Sequence, residues 1–319
     1  MRVGYFLSTE EFRPHELLEQ ARLAEEAGFE ALWISDHFHP WNEAQGQAPF
    51  VWSILGALSE VTTLPVTTAV TCPTVRMNPA VIAQAAATTA VMHHGRFVLG
   101  VGSGEALNEH ILGDPWPSAA TRLDMLEEAV ALIRELWTGR TVTHRGEFYE
   151  VDSARLYTLP RTPPKVYMSA LGQHATELAV RIADGYQSVV PDRELLRLFH
   201  RGNPGQTQAG LKVCHAPTED EGVTIAHRLW AHQAVPGQVH QQLPSPRHFE
   251  ELASFVSDDT TRGSIACGPD PDRQLRAMRP FVEAGFDEVY VGNIGPHYRE
   301  MIRQFGEQVI PQVHHLASA

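Results

Sequence analysis

Three short runs hold the residues best suited to chemistry. Ser35-Asp36-His37-Phe38-His39-Pro40-Trp41 sets a histidine beside an acid. An imidazole titrates near neutrality, which suits it to taking a proton from a substrate hydroxyl. Gly100-Val101-Gly102-Ser103-Gly104-Glu105-Ala106-Leu107-Asn108-Glu109 places Glu105, a second candidate acid or base, just past a glycine-rich turn. Ser169-Ala170-Leu171-Gly172-Gln173 leads into a helical pattern over 174–182. Free amides at a helix start beside a glycine form a ready phosphate site.

Each run also has a plainer reading. The chain carries 17 histidines, and for any one alone a packed, satisfied imidazole is the commoner case. Asp36, His37 and His39 would need further ligands at recognisable spacing to hold a metal, and none is found, so no metal is expected. Glu105 stands where a dinucleotide fingerprint would need its third glycine, which removes that motif. A carboxylate there also suits the positive end of a helix dipole. For 169–173, an ordinary strand-to-helix loop stands on equal footing with a phosphate site. Among the aromatics, Trp33 and Trp52 read as core. Trp41 follows Pro40 in a polar loop and is the candidate pocket wall.

These runs share a position: each comes just after a short apolar segment. Glu26-Ala27-Gly28-Phe29 before Leu32–Ile34 closely matches Glu283-Ala284-Gly285-Phe286 before Val289–Val291, with looser copies at 94–99 and 183–188. A helix ending on a left-handed glycine and passing at once into an apolar strand is βα-unit grammar. Pro14 suits a first helical position, and Leu17, Leu18, Ala21, Ala24 and Ala27 fall on one helical face. With Val3–Leu7, Pro65–Val70, Lys165–Ala170 and Leu211–His215, the strands reach eight. That number predicts a single α/β domain over 1–319, a (β/α)8 TIM barrel, whose active site lies at the strand C-termini. Insertions break the rhythm near 141–151, a hairpin turning at Arg145-Gly146, and near 234–263, an irregular stretch.

A net charge of −13 argues against nucleic acid or an anionic membrane as partner. Cys72, Cys214 and Cys267 form no CxxC pair and read as small buried hydrophobes. Neither a signal segment nor a membrane span is apparent, so the expected location is the cytoplasm.

Taken together, 35–41, Ala48-Pro49-Phe50, 78–84 and 99–109 resemble the coenzyme F420-dependent branch of the luciferase-like monooxygenase superfamily, and most closely the F420-dependent glucose-6-phosphate dehydrogenases. The resemblance continues more thinly through Leu136–Gly139, Gly146–Tyr149 and Ala183–Gly185. It implies an F420-dependent dehydrogenase or reductase acting on an alcohol or carbonyl. His37 would accept the substrate proton, Glu105 serve the cofactor as acid, and Trp41 pack over the reacting centre. It places Asp36, Asn108, Ser169, Ala170, Leu171, Gly172, Gln173, Ser188 and Val189 against the cofactor. A non-proline cis peptide is expected between Ala69 and Val70, and Cys72 stands where a threonine is usual. Where sugar-phosphate members carry lysines, this chain has Asp192 and, approximately, Glu251, so the expected substrate is uncharged or weakly charged. Like charges facing a phosphate cost several kcal/mol. The family also implies a homodimer. The rival readings are an FMN-dependent monooxygenase on the same fold and a non-catalytic F420-binding protein.

Overall fold

A computed structural model describes residues 1–317. In chain order the strands are β1 (Arg2–Leu7), β2 (Leu32–Ile34), β3 (Val66–Thr68), β4 (Phe97–Val101), β5 (Val142–Arg145), β6 (Glu150–Ala154), β7 (Lys165–Ser169), β8 (Gly185–Ser188), β9 (Gln206–Cys214), β10 (Ala266–Cys267) and β11 (Glu288–Asn293). The first helices are α1 (Pro14–Glu26), α2 (Val51–Leu58), α3 (Pro79–Met92), α4 (Ala106–Glu109), α5 (Ala119–Leu136) and α6 (Gln173–Ile182). After them come α7 (Arg193–Gly202), α8 (Glu219–Trp230), α9 (Pro246–Ala253), α10 (Asp258–Ser264) and α11 (Pro271–Ala284).

Parallel pairing runs β1-β2-β3-β4-β7-β8-β9-β11 and closes from β11 back to β1. The expected eight-stranded barrel is therefore present, with β10 added at the end of β9. Closure pairs each of the eight barrel strands on both sides, and apolar side chains of the outer helices pack against the barrel in the main core.

Left-handed glycines end the preceding helical segments at Gly28, Gly95 and Gly285, with φ of 90°, 80° and 100°. The fourth copy departs from this grammar. Gly185 is the first residue of β8, and a Cβ there would lie 2.5 Å from the Tyr167 ring, so it answers a close approach and not a cap.

β9 also starts earlier than Leu211. Among its polar first residues, Gln208 finds its partners inside the barrel. Gln208 accepts from Trp33 Nε1 at 2.9 Å and from Gln187 Nε2 at 3.0 Å, and donates to Glu288 at 2.8 Å. Trp33 stacks on Tyr290 with ring centroids 4.6 Å apart. A Cβ on Gly210 would sit 2.3 Å from that indole, so the barrel floor is filled by rings over a strand with no side chain.

The early insertion is the antiparallel hairpin β5–β6. The late one is more ordered than its composition suggests. It holds α9, α10 and the 3-10 turns Ala231–Ala234 and Val239–Gln241. Phe249 of α9 is fully buried and gives this segment an apolar anchor that the Gln, His and Pro residues around it obscure. All three cysteines are free and buried. No helix among the described residues is long and apolar enough to cross a membrane, and none of their side chains forms a metal-binding group.

Candidate active site

The three runs converge at the mouth formed by the strand C-termini, together with residues from β1 and β9. His37, just past β2, has Nδ1 3.1 Å from the His39 carbonyl and 3.2 Å from the Asn108 amide nitrogen. Its Nε2 faces Glu10 at 3.4 Å. The carboxylate beside this imidazole is therefore Glu10, from the end of β1, and not its sequence neighbour. Asp36 is turned away: its Oδ1 accepts from Arg76 and its Oδ2 from Thr71, both at 2.8 Å. Arg76 in turn reaches Glu109, which accepts its backbone N–H at 2.7 Å. Asp36 and Glu109 thus form a buried ionic brace beneath the site.

Asn108, on α4, is oriented by the loop that carries His37. Its Oδ1 accepts from the backbone N–H groups of Phe38 and His39, which aims Nδ2 at both His37 and, at 3.5 Å, Glu105. Glu105 precedes α4 but makes no capping bond, so capping does not account for it. Burial pushes its carboxyl up to about 7; His37 opposes the shift, while Glu10 and Glu109 add to it. For Glu10, burial alone would also raise the carboxyl. His37, Lys212 and hydrogen-bond donors including Ser35 outweigh that and hold it down at about 2.

Trp41 lies between two imidazoles. Its ring centroid is 5.0 Å from that of His37 and 5.1 Å from that of His232, and Phe249 meets it edge-on at 5.0 Å. His232 is buried and neutral: burial pushes its imidazole down to about 3. The late insertion therefore supplies the outer support of Trp41.

After β3, between the His37 and Glu105 runs, Ala69 and Val70 are joined by a cis peptide bond. Thr71 continues from it and bridges to β4. Cys72 packs against Thr74 Oγ1 at 2.8 Å, and burial pushes its thiol well up. Ser169 ends β7, and the Ala170 carbonyl accepts from Tyr186 at 2.7 Å. Gly172 opens α6 with no side-chain cap, and a Cβ there would meet nothing within 4 Å. By contrast, side chains cap α3, α7, α8 and α11. Ser188 is tied to Val190, while Leu171, Val189 and Phe38 stand exposed around the opening. Gln173 points sideways to Glu177.

The two acidic residues aligned with sugar-phosphate lysines have other surroundings. Asp192 caps α7 by accepting from the N–H groups of Glu194 and Leu195. Glu251 is exposed and paired with Arg247, away from the buried face of α9 that carries Phe249. The insertion meets Trp41 through His232, His240 and Phe249 instead.

Glu10, Lys212 and His232 were not among the expected site residues. The signal for Glu10 is its place at the C-terminal end of the first strand, where Leu7 gives way to Ser8-Thr9-Glu10-Glu11, just as the second and fourth strands give way to their polar runs. Lys212 sits inside an apolar run, where only the closed barrel reveals its direction.

Fold and mouth together define a parallel-barrel enzyme architecture with acid/base groups gathered at the strand C-termini. The sequence profile of the luciferase-like monooxygenases matches residues 1–288, and the chain belongs to that family. An F420-dependent glucose-6-phosphate dehydrogenase of Microbacterium testaceum is 36% identical over 328 residues, covering 98% of this chain and 97% of its own. An F420-dependent hydroxymycolic acid dehydrogenase of Mycobacterium tuberculosis is 33% identical over 89% of this chain and 80% of its own. A solved structure of an F420-dependent secondary alcohol dehydrogenase in complex with an F420–acetone adduct is 33% identical, with a TM-score of 0.90 over 98% of both chains.

Proposed function

We propose that this protein is an F420-dependent oxidoreductase that interconverts an uncharged or weakly charged alcohol and its carbonyl. The observation that carries the reading is the Asn108 amide joining His37 and Glu105, a base and an acid held up to about 7, beside Trp41. F420 supplies hydride acceptance and donation when bound.

The residues present fit such a cofactor. The uncapped start of α6 with open space at Gly172 suits a phosphate-bearing tail, and exposed Leu171, Val189 and Phe38 suit an apolar ring. With F420 bound, Ala69, Val70, Asn108 and the 169–173 and 188–189 segments would contact it, while Asp36, held by Arg76 and Thr71, and Cys72, packed on Thr74, would support them from beneath.

In the oxidation direction Nε2 of His37 would take the proton of the alcohol's O–H group, the step that lets the carbonyl form once a bound F420 provides the hydride acceptor. Nδ1 of His37 is engaged by the His39 carbonyl and the Asn108 amide, so Nε2 is the ring nitrogen left for this task. Glu105, its carboxyl raised to about 7 by burial, holds a proton up to near neutral pH and would be the acid on the cofactor side. Trp41 shields the reacting centre from water.

The charge around the mouth favours an uncharged substrate. Glu10, Glu11 and Glu105 stand at the mouth, while Lys212 is held by Ser8 and Arg76 by Asp36. A phosphate dianion would meet the ionised Glu10 and no free cation among these residues. A cytoplasmic homodimer completes the reading, and light scattering on the purified protein measures the second part.

The test is a fluorescence titration with oxidised F420 and, in parallel, FMN. Saturable binding of F420 alone supports the proposal; binding of FMN alone would move the protein to the oxygenase branch and withdraw the roles of His37 and Glu105.

A further inference from the structure

Lys212 lies on the far side of Glu10 from His37, and no step of the proton and hydride transfer uses it. It projects from β9 at the level where β11 contributes Gly292, its register partner. With no side chain at Gly292, the lysine crosses to the end of β1. There Nζ donates to Ser8 Oγ at 2.8 Å. The same hydroxyl donates to Glu10 Oε2 at 2.8 Å, and Ser35 donates to that oxygen at 2.7 Å. The ammonium is clamped between two rings, 3.9 Å from the Trp230 centroid and 4.3 Å from that of Phe6. Trp230 is itself fixed through Nε1 to Glu11.

A buried carboxylate 3.4 Å from an imidazole nitrogen draws a proton onto that nitrogen. In His37 that nitrogen is Nε2, the one that must be bare to accept a substrate proton. Left alone, Glu10 would hold the ring in place but disable it as a base. We propose that Lys212 is the counter-ion of Glu10, acting through Ser8, and that by offsetting the carboxylate's charge it weakens the pull of Glu10 on a proton at Nε2 of His37, whose ring is held through Nδ1 by His39 and Asn108. Lys212 is thus a positioning residue, since it reaches the reaction through Glu10. The proposal rests on His37 being the proton acceptor.

The other titratable groups facing the pair are Glu11 beside Lys212, Glu105 across Asn108, His39 within the same loop, and His232 with His240 behind Trp41. All of them remain in the variants that test the pair.

The experiment tracks the His37 ring signals by NMR in cofactor-free protein, assigned by their loss in His37→Asn. It also records the pH profile of kcat/KM with F420 and a secondary alcohol. In Lys212→Met the ring titration and the acid limb of the profile should both move to higher pH by about one unit, a shift typical of losing one nearby charge. Below the limb that is about a tenfold loss, which disappears on the alkaline side. Lys212→Arg should restore both positions. Ser8→Ala should move both in the same direction by less, which keeps the test open if Lys212→Met does not fold. Ring signals that titrate at the same pH in Lys212→Met and Ser8→Ala as in the unchanged protein overturn the proposal. So does a uniform rise in KM with no change of profile, which would make Lys212 a substrate ligand. If the unchanged protein turns over no alcohol, the proposed function fails, while the NMR arm still reports on Lys212.

Discussion

Nε2 of His37 faces the carboxylate of Glu10 at 3.4 Å, whereas Asp36, its neighbour in the chain, is bound to Arg76. The base and its carboxylate therefore come from different strands, β2 and β1, and the parallel pairing of these neighbours brings them together. Asp36 does separate work in the buried ionic brace with Arg76 and Glu109.

Replacing His37 by Ala should lower kcat/KM for alcohol oxidation by roughly 10²–10⁴, the usual worth of a positioned general base. F420 affinity should stay within a few-fold, because the ring faces Glu10 and the substrate side. Steady-state kinetics beside a fluorescence titration separates the two; a large loss of cofactor binding would assign His37 to the cofactor instead.

Glu105 sets the alkaline limit. It must be protonated to act, and burial raises its carboxyl to about 7, so alcohol oxidation should fall as pH rises through about 7. Glu105→Gln should abolish that limb together with most of the rate. Stability should show the same sign. A carboxyl raised on folding contributes fully below its unfolded value of 4.5 and loses that contribution as pH climbs to about 7. The melting temperature of the unchanged protein should thus drop between these values relative to Glu105→Gln, and parallel curves would contradict the assignment.

Substrate charge gives a third expectation. A small secondary alcohol should be oxidised with kcat/KM at least ~100-fold above glucose 6-phosphate, the factor equivalent to about 3 kcal/mol of like-charge cost. A competition assay at low and moderate salt measures it. Preference for the phosphate would show that a cation reaches the mouth in solution.

The barrel floor can be tested without substrate. Gly210→Ala would press a methyl to 2.3 Å from Trp33, which is pinned by Tyr290 and Gln208. A loss of about 1–3 kcal/mol in urea unfolding is expected for such overpacking.

The barrel is legible in the sequence because its signal is local and repeated. Apolar runs buried on both faces, each entered from a helix, need no knowledge of distant contacts. The same locality explains the misses. Gln206–Gly210 is polar yet lies in a strand, because Gln208 spends its hydrogen bonds inside the barrel on Trp33, Gln187 and Glu288. Gly185 copies the helix-end pattern but serves the Tyr167 ring. The order of the late insertion depends on Phe249 reaching Trp41 across the mouth. At the site, residues grouped within one run are visible in the chain. The Glu10–Ser8–Lys212 line, assembled from two strands separated by β11 in the sheet, is not.

The most direct test of hydride transfer is the loss of deazaflavin absorbance when F420 and a secondary alcohol are mixed with the protein, using alcohol protiated or deuterated at the carbinol carbon. The expected result is reduction of F420, slower with the deuterated alcohol and nearly absent in His37→Ala. Binding of F420 with no bleaching by any uncharged alcohol, and no reoxidation of reduced F420 by the matching ketones, would contradict hydride transfer at this site.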